Sequence, residues 1–217
     1  MTLIGKTATI AAVIGLLVVV PAAVEAKSAG DILVRLRGLA FMPDVDGTTA
    51  ELGGSVGAND TFIPEVDFSY FITDNIAAEL ILATTIHNAS VVDSTLGNVD
   101  LGTVRLLPPT LMLQYHMLPK GDISPYVGVG VNYTIFYDKS GGAGNSAVTV
   151  SSIDYSNGFG YGFQVGVDFK IDDKWHLNAD MKKIFLSTDI NLNKGAVKVN
   201  DADVDPWIIG VGIGYTF

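Results

Sequence analysis

The sequence predicts an all-β protein, an eight-stranded antiparallel up-and-down transmembrane β-barrel with long extracellular loops and short periplasmic turns. Three observations predict this fold. Apolar and polar residues alternate with a period of two in eight segments, which is typical of β-strands. The connections between these segments are alternately short and long. The polar residues lie on the face that would be the core of a soluble protein, as in barrels that present their apolar face to lipid.

Residues 1–26 have the pattern of a secretory signal peptide. Lys6 precedes an apolar stretch at residues 10–20, and small residues follow as far as Ala26. This stretch reaches only about 15 residues when extended, whereas a helix that spans a membrane needs about 20, so an uncleaved anchor is the weaker alternative. We therefore predict cleavage near Ala26 and a mature barrel over residues 27–217.

Eight strands follow in the mature chain. In the first, Arg35 and Arg37 share one face, and in the second Glu65 and Asp67 lie opposite Phe68 and its apolar neighbours. Segments of this length match the 9 to 11 residues of a tilted spanning strand. The predicted strands are residues 31–41, 63–71, 76–84, 107–117, 125–136, 159–169, 175–185 and 206–217.

The connections separate the two ends of the predicted barrel. Short turns lie at residues 73–75, 119–124 and 172–174, and connections of about twenty residues lie at 42–62, 85–106, 137–158 and 186–205. A soluble sandwich or a lipocalin-like barrel would bury the apolar face and expose charges such as Arg35 to water. These folds are the weaker alternatives.

The composition excludes several classes of function. The chain has no cysteine, which removes disulfides and thiolate metal sites, and its net charge of -10 lacks the basic surface that nucleic acid requires. His87 falls in a predicted loop, while His116 and His176 point inward near the short turns, without the spacing of metal ligands or a serine partner. We predict no enzyme activity, no metal site, no cofactor and no nucleic-acid partner.

The sequence resembles the outer membrane protein W (OmpW) family of Gram-negative bacteria, in family order over nearly the whole mature chain. The resemblance implies an outer-membrane barrel, in contact with membrane lipids and lipopolysaccharide. It also implies a narrow, largely apolar lumen and passive uptake of small hydrophobic molecules. The matching stretches are TDNIAAEL at 73–80, LPPTLMLQYH at 107–116, PYVGVGVNYT at 125–134, GFQVGVDFKIDDKW at 162–175 and DPWIIGVGIGYTF at 205–217.

The inward-facing residues indicate that the lumen has two different regions. Charged side chains from several strands are expected to form ion pairs, which make buried charge tolerable, and to close the lower lumen. Their members are Arg35, Arg37, Glu65, Asp67, Glu79, Asp180 and Lys182. Above them we predict a cavity with an apolar or small lining, formed by Ile81, Met112, Gly128, Gly130, Gly162 and Gly212. The alternative is that these glycines only make room for side chains from neighbouring strands.

A closed lower lumen would force a hydrophobic solute to leave sideways. Pro64, Pro108 and Pro109 lie at the outer ends of two predicted strands, and proline donates no hydrogen bond to a β-ladder. We predict a lateral exit at this height. The alternative is that these prolines merely end strands.

The C-terminal end carries Tyr215 and Phe217, which look like the signal read by the barrel assembly machinery. The rival to transport is a structural or surface-interaction barrel whose loops contact lipopolysaccharide, host factors or phage.

Overall fold

The computed structural model describes residues 27–46, 54–95, 97–145, 149–150, 152–193 and 197–217. The predicted signal peptide, residues 1–26, lies outside these ranges. Fourteen β-strands make up the secondary structure of the described residues. None of these residues belongs to a helix long and apolar enough to cross a membrane.

Eight antiparallel strands close into a ring, as the sequence predicts. The first and last strands close it, with Leu33 opposite Thr216 at one end and Met42 opposite Trp207 at the other. The ring follows chain order: β1 (Ile32–Met42), β4 (Thr61–Phe71), β5 (Ile76–Ala83), β8 (Thr110–His116), β9 (Ile123–Gly144), β11 (Gly158–Lys170), β12 (Trp175–Leu192) and β14 (Trp207–Thr216).

The ring has an apolar outside and a polar inside. In β8, Leu111 and Leu113 are each 52% exposed, whereas the intervening Met112 and the following Gln114 are buried. Because strand neighbours point to opposite faces, this alternation places apolar side chains toward lipid and polar ones toward the lumen.

The long connections contain more β-structure than the sequence predicts. Six further strands extend the barrel on its outer side: β2 (Val45–Asp46), β3 (Ser55–Ala58), β6 (Thr85–Val92), β7 (Val99–Leu107), β10 (Ile153–Tyr155) and β13 (Val197–Val204). β6 and β7 continue the third and fourth barrel strands, and β9 and β12 themselves run well beyond their predicted ends. We call this part of the protein the extension.

The two faces exchange polarity where the barrel becomes the extension. On β12 the inward side chains change from Asp180 and Lys182 to Ile184 and Leu186, and outward polar residues such as Ser187 follow. The extension therefore has its own buried apolar core, which includes Val91, Val99, Leu101, Ile190 and Leu192. This exchange explains why the predicted strands end too early. The prediction requires an apolar outward face, and above this level the apolar face points inward.

Candidate functional site

The seven charged residues predicted for the lower lumen lie together. Arg35 Nη1 lies 2.9 Å from Asp67 Oδ1, and Arg37 Nη2 lies 2.6 Å from Glu65 Oε1 and 2.9 Å from Glu79 Oε1. β1 positions both arginines, because Arg35 pairs in register with Asp67 and Arg37 with Glu65 on β4.

On β12, which β14 separates from β1, Lys182 and Asp180 complete this predicted set. Lys182 Nζ lies 2.6 Å from Asp180 Oδ1 and 3.3 Å from Glu65 Oε1, and Arg37 Nη1 lies 3.6 Å from Asp180 Oδ1. The pairs therefore cross the lumen from β12 to β1 and β4.

Two charged residues of this site were not among the predicted members. Asp168 accepts hydrogen bonds from Arg35 Nε and Nη2, at 3.2 and 3.1 Å, and from Lys27 Nζ at 2.8 Å. Asp168 lies on the inward face by the same alternation as the others, so that pattern could have identified it. Lys27 precedes the first strand, and no periodicity points to it.

Neutral polar side chains join the carboxylates to one another. Gln164 donates to Glu79 Oε2 at 2.9 Å and to Asp180 Oδ2 at 2.8 Å, and Gln114 donates to Glu79 Oε2 at 2.8 Å. The Tyr126 hydroxyl donates to Asp180 Oδ2 at 3.0 Å, and Asn178 donates to Asp168 Oδ1 at 2.8 Å.

We call the nine charged residues the charged stopper: Lys27, Arg35, Arg37, Glu65, Asp67, Glu79, Asp168, Asp180 and Lys182. All nine are buried, none more than 4% exposed. Four positive and five negative side chains so placed are tolerable only because they pair and hydrogen-bond with one another. Together they fill the cross-section of the lower lumen.

An apolar cavity lies directly above the charged stopper, and we call it the lumen cavity. Leu39, Ile63, Ile184 and Ile208 belong both to its wall and to a buried apolar cluster, and Glu65 and Lys182 form its floor. Its other lining residues are Phe41, Ile81, Ala83, Thr85, Leu106, Pro108, Thr110, Asn132, Thr134, Leu186, Val204 and Pro206.

Three polar residues of this wall satisfy one another. Asn132 Nδ2 donates to Thr110 Oγ1 at 2.8 Å, and Thr134 Oγ1 donates to Asn132 Oδ1 at 2.7 Å. Their hydrogen-bonding groups are therefore occupied, and the wall they form offers little to a strongly polar solute.

Of the residues predicted to line the cavity, Ile81 does so, while the glycines and Met112 are placed differently. A methyl group at Gly128 would lie 2.8 Å from Gln164 Oε1, and one at Gly212 would lie 2.7 Å from Arg37 Cγ. At Gly130 and Gly162 it would meet Met112 and Ile184. Each glycine thus makes room for a neighbouring side chain, which is the alternative considered for them.

The barrel wall beside the lumen cavity lacks a stretch of its β-ladder. Between the third and fourth barrel strands, Ile81 pairs with Thr110 and Thr85 pairs with Leu106, but no pair joins residues 82–84 to residues 107–109. Pro108 and Pro109 occupy this stretch, and we call it the wall gap. The Thr84 hydroxyl bridges it by donating to the Leu106 carbonyl at 3.2 Å.

Pro64 lies near the same place but in a different setting. It faces outward in β4, opposite Gly38 of β1, and the ladder continues on both sides of that pair. On its other side, pairing of β4 with β5 ends at Glu65 and Ala83, one residue below Pro64. Pro64 thus lies at the edge of a second weakly paired seam.

The C-terminal aromatic residues lie on the outer surface at the closing seam. The Phe217 N–H donates to the Ile32 carbonyl at 2.9 Å, and the Phe217 side chain is 61% exposed. The Tyr215 ring lies 4.6 Å from that of Phe217 and 4.9 Å from that of Trp175, measured between centroids.

The structure places a serine beside one histidine, which the sequence analysis does not predict: Ser124 Oγ lies 3.5 Å from His116 Nδ1, and both side chains are buried. His116 is buried between Phe71 and Tyr126, with ring centroids at 5.0 and 4.9 Å, and His87 lies in β6 rather than in a loop. Within the part of the chain that the structure describes, no group of three or more histidines and carboxylates has the geometry to hold a metal ion.

Comparisons with known proteins match this architecture. The model of the OmpW family matches residues 28–217. An uncharacterized outer-membrane protein, y4mB of Sinorhizobium fredii, is 42% identical over 85% of this chain and 79% of its own. Outer membrane protein AlkL of Ectopseudomonas oleovorans is 35% identical over 75% of this chain and 68% of its own. The crystal structure of OprG from Pseudomonas aeruginosa superposes with a TM-score of 0.78 at 27% identity, covering 89% of this chain and 99% of that one.

Proposed function

The chain belongs to the OmpW family of outer-membrane β-barrels, and we propose that it mediates passive uptake of small hydrophobic molecules. In this proposal a solute enters the lumen cavity from outside and leaves sideways through the wall gap into the membrane.

The observation that carries the proposal is the position of an apolar cavity between a charged floor and an unpaired stretch of wall. The cavity wall includes Ile81, Ala83 and Thr85 on one side of the wall gap, and Leu106, Pro108 and Thr110 on the other. The charged stopper blocks the axial route, because a hydrophobic solute would have to break buried ion pairs to pass it. The wall gap is the route that we propose, because it lies beside the cavity and lacks ladder pairs over residues 82–84 and 107–109.

Backbone geometry supports a specific role for Pro108. In β8 and the two prolines before it, the backbone N–H and C=O groups of even-numbered residues point toward β5, since the His116 N–H donates to the Asn75 carbonyl. Those of odd-numbered residues point toward β9, since the Tyr133 N–H donates to the Pro109 carbonyl. Residue 108 would therefore donate its N–H toward Ala83 if it were not proline. Its missing N–H accounts for part of the lapse in pairing.

The test is flux through liposomes that carry the refolded mature chain. We expect a small hydrophobic solute to enter faster than through protein-free liposomes, and a sugar of similar size to enter no faster. Equal rates with and without protein would contradict the proposal. That result would favour the rival function, a barrel whose extension contacts lipopolysaccharide or other surface partners.

Assembly is a separate part of the proposal. The exposed Phe217 ring and the adjacent Tyr215 lie at the seam between the first and last strands. This position supports recognition of the C-terminal strand by the barrel assembly machinery before the ring closes.

A further inference from the structure

A second apolar cavity lies in the extension, above the lumen cavity, and we call it the upper cavity. Its wall includes Val56, Ala89, Val104, Phe136 and Ile190, which belong to the apolar core of the extension.

The upper cavity adjoins the lumen cavity. Phe41, Leu106 and Val204 line both. A solute in the upper cavity is therefore separated from the lumen cavity by these three side chains.

Two polar side chains of the upper cavity have buried atoms without a hydrogen-bond partner among the described residues. They are His87 Nε2 and the Tyr155 hydroxyl, on side chains that are 3% and 8% exposed. Buried polar atoms are usually paired, so each such atom in an otherwise apolar cavity needs an explanation.

The hydrogen-bonding character of these atoms follows from their surroundings. His87 Nδ1 lies 3.0 Å from the Asn59 carbonyl, which can only accept, so Nδ1 carries the proton and Nε2 is an acceptor in the neutral ring. Burial lowers the pKa of His87, which keeps the ring neutral at pH 7. Burial raises the pKa of Tyr155, which keeps its hydroxyl protonated and able to donate.

We propose that the upper cavity is a selectivity site for apolar molecules that carry a hydroxyl group, which hydrogen-bonds to His87 Nε2 and the Tyr155 hydroxyl. A hydroxyl group can both donate and accept, whereas an ether only accepts and a hydrocarbon does neither. The site thus favours alcohols over ethers and hydrocarbons of the same size. The inference deepens the proposed uptake function, which supplies the reason for a solute to visit this cavity.

A related polar group marks the way downward. Thr85 lies two residues before His87 on the inward face of β6, it lines the lumen cavity, and its buried hydroxyl also lacks a partner among the described residues. The Phe41 ring lies between the two cavities, with its centroid 5.0 Å from that of His87. A hydroxyl group released by His87 therefore meets Thr85 in the next cavity.

The test uses the refolded mature chain in lipid nanodiscs with ¹⁵N-labelled histidine. The chain has three histidines, so the His87 signals are assigned by their loss in His87→Phe. Ethanol and dimethyl ether, which have the same atomic composition and suit a cavity of about 40 Å³, are titrated separately. We expect the alcohol to shift the His87 Nε2 signal saturably, with an affinity about fivefold or more above that of the ether, the ratio of about one net hydrogen bond.

Matched variants separate this role from a structural one. Tyr155→Phe removes a donor that both the alcohol and the ether use, so it should weaken the binding of both, whereas Tyr161→Phe, on the exposed outer face, should leave both affinities unchanged. A difference in gel mobility between unheated and heated samples verifies that each variant is folded. Equal affinities in the wild type, or affinities for both ligands that Tyr155→Phe leaves unchanged, would overturn the inference.

Failure of the inference and failure of the proposed function are distinguishable. Flux of hydrophobic solutes with equal binding of alcohol and ether would overturn the inference and leave the uptake function standing. Selective alcohol binding at His87 without flux would support the site and contradict uptake.

Discussion

Arg37 occupies the centre of the charged stopper. Its guanidinium faces Glu65, Asp67, Glu79 and Asp180, with N–O distances from 2.6 to 3.6 Å. Arg37 is only 1% exposed, so water cannot replace its guanidinium beside these four carboxylates.

We therefore expect Arg37→Met to lower the free energy of unfolding by about 3 to 5 kcal/mol, because it leaves five buried carboxylates with three buried cations. Urea titration of the barrel in lipid vesicles measures this. The control is Arg105→Met, which removes an exposed pair with Asp138 and should change the free energy by at most about 1 kcal/mol. Equal effects of the two substitutions would contradict the role of the stopper in stability.

Asp172 orders a short turn outside the membrane. Its Oδ1 accepts the backbone N–H groups of Lys174 and Trp175, both at 2.8 Å, and these bonds hold the pKa of its carboxyl below the ordinary range. A carboxyl whose pKa falls on folding stabilises the folded state above its unfolded pKa of about 3.9. That contribution is lost as the pH falls through the folded pKa.

Asp172→Ala should thus lower the urea midpoint at pH 7, and its difference from the wild type should shrink as the pH is lowered below about 4. Asp172→Asn keeps the acceptor oxygen without the charge, so its urea midpoint should fall less than that of Asp172→Ala. A difference between Asp172→Ala and the wild type that stays constant from pH 7 to pH 3 would argue against the charge of Asp172 as its source.

Among the elements, the fourth barrel strand decides where the wall opens. Pro108 and Pro109 divide it into β7 and β8, and the strand keeps its register with the third strand on both sides of the division. The lapse in pairing is therefore local, and a single backbone N–H could shorten it.

Pro108→Val should restore an N–H directed at Ala83 and reduce uptake of hydrophobic solutes severalfold in liposomes. Pro109→Val is the matched control, because its N–H would face Tyr133 on the opposite seam, which is already joined by the bond from Tyr133 to the Pro109 carbonyl. Uptake that is the same for Pro108→Val and for the wild type would count against exit through this seam.

Period-two alternation predicted the eight elements of the ring, because lipid on one side and polar groups on the other impose opposite chemistry on neighbouring residues. The same alternation brought Arg35, Glu65 and Asp180 to one face, but it could not give their distances or add Lys27, which precedes the strands. It missed the extension because the apolar face turns inward above Lys182. It also could not distinguish a glycine that lines a cavity from one that lies under Arg37 or Gln164, since this depends on cross-strand neighbours.

At the scale of the whole molecule, the polarity of the lumen changes along the barrel axis. The charged stopper fills the lower part, the lumen cavity follows at the height of the wall gap, and the upper cavity lies within the extension. This order gives a hydrophobic solute an apolar environment from the extension down to Lys182 and Glu65. At that height the wall lacks ladder pairs between residues 82–84 and residues 107–109. The central claim is that uptake passes through this seam.

Reversible cross-linking of the wall gap tests that claim most directly, because the chain contains no cysteine of its own. Thr84→Cys combined with Leu107→Cys places one cysteine on each strand, opposite each other by register, and the single variants serve as controls. We predict that oxidation of the double variant reduces uptake of a hydrophobic solute severalfold and that a reducing agent restores it. Undiminished uptake through a barrel whose cross-link is verified by mass spectrometry would contradict lateral exit at this seam.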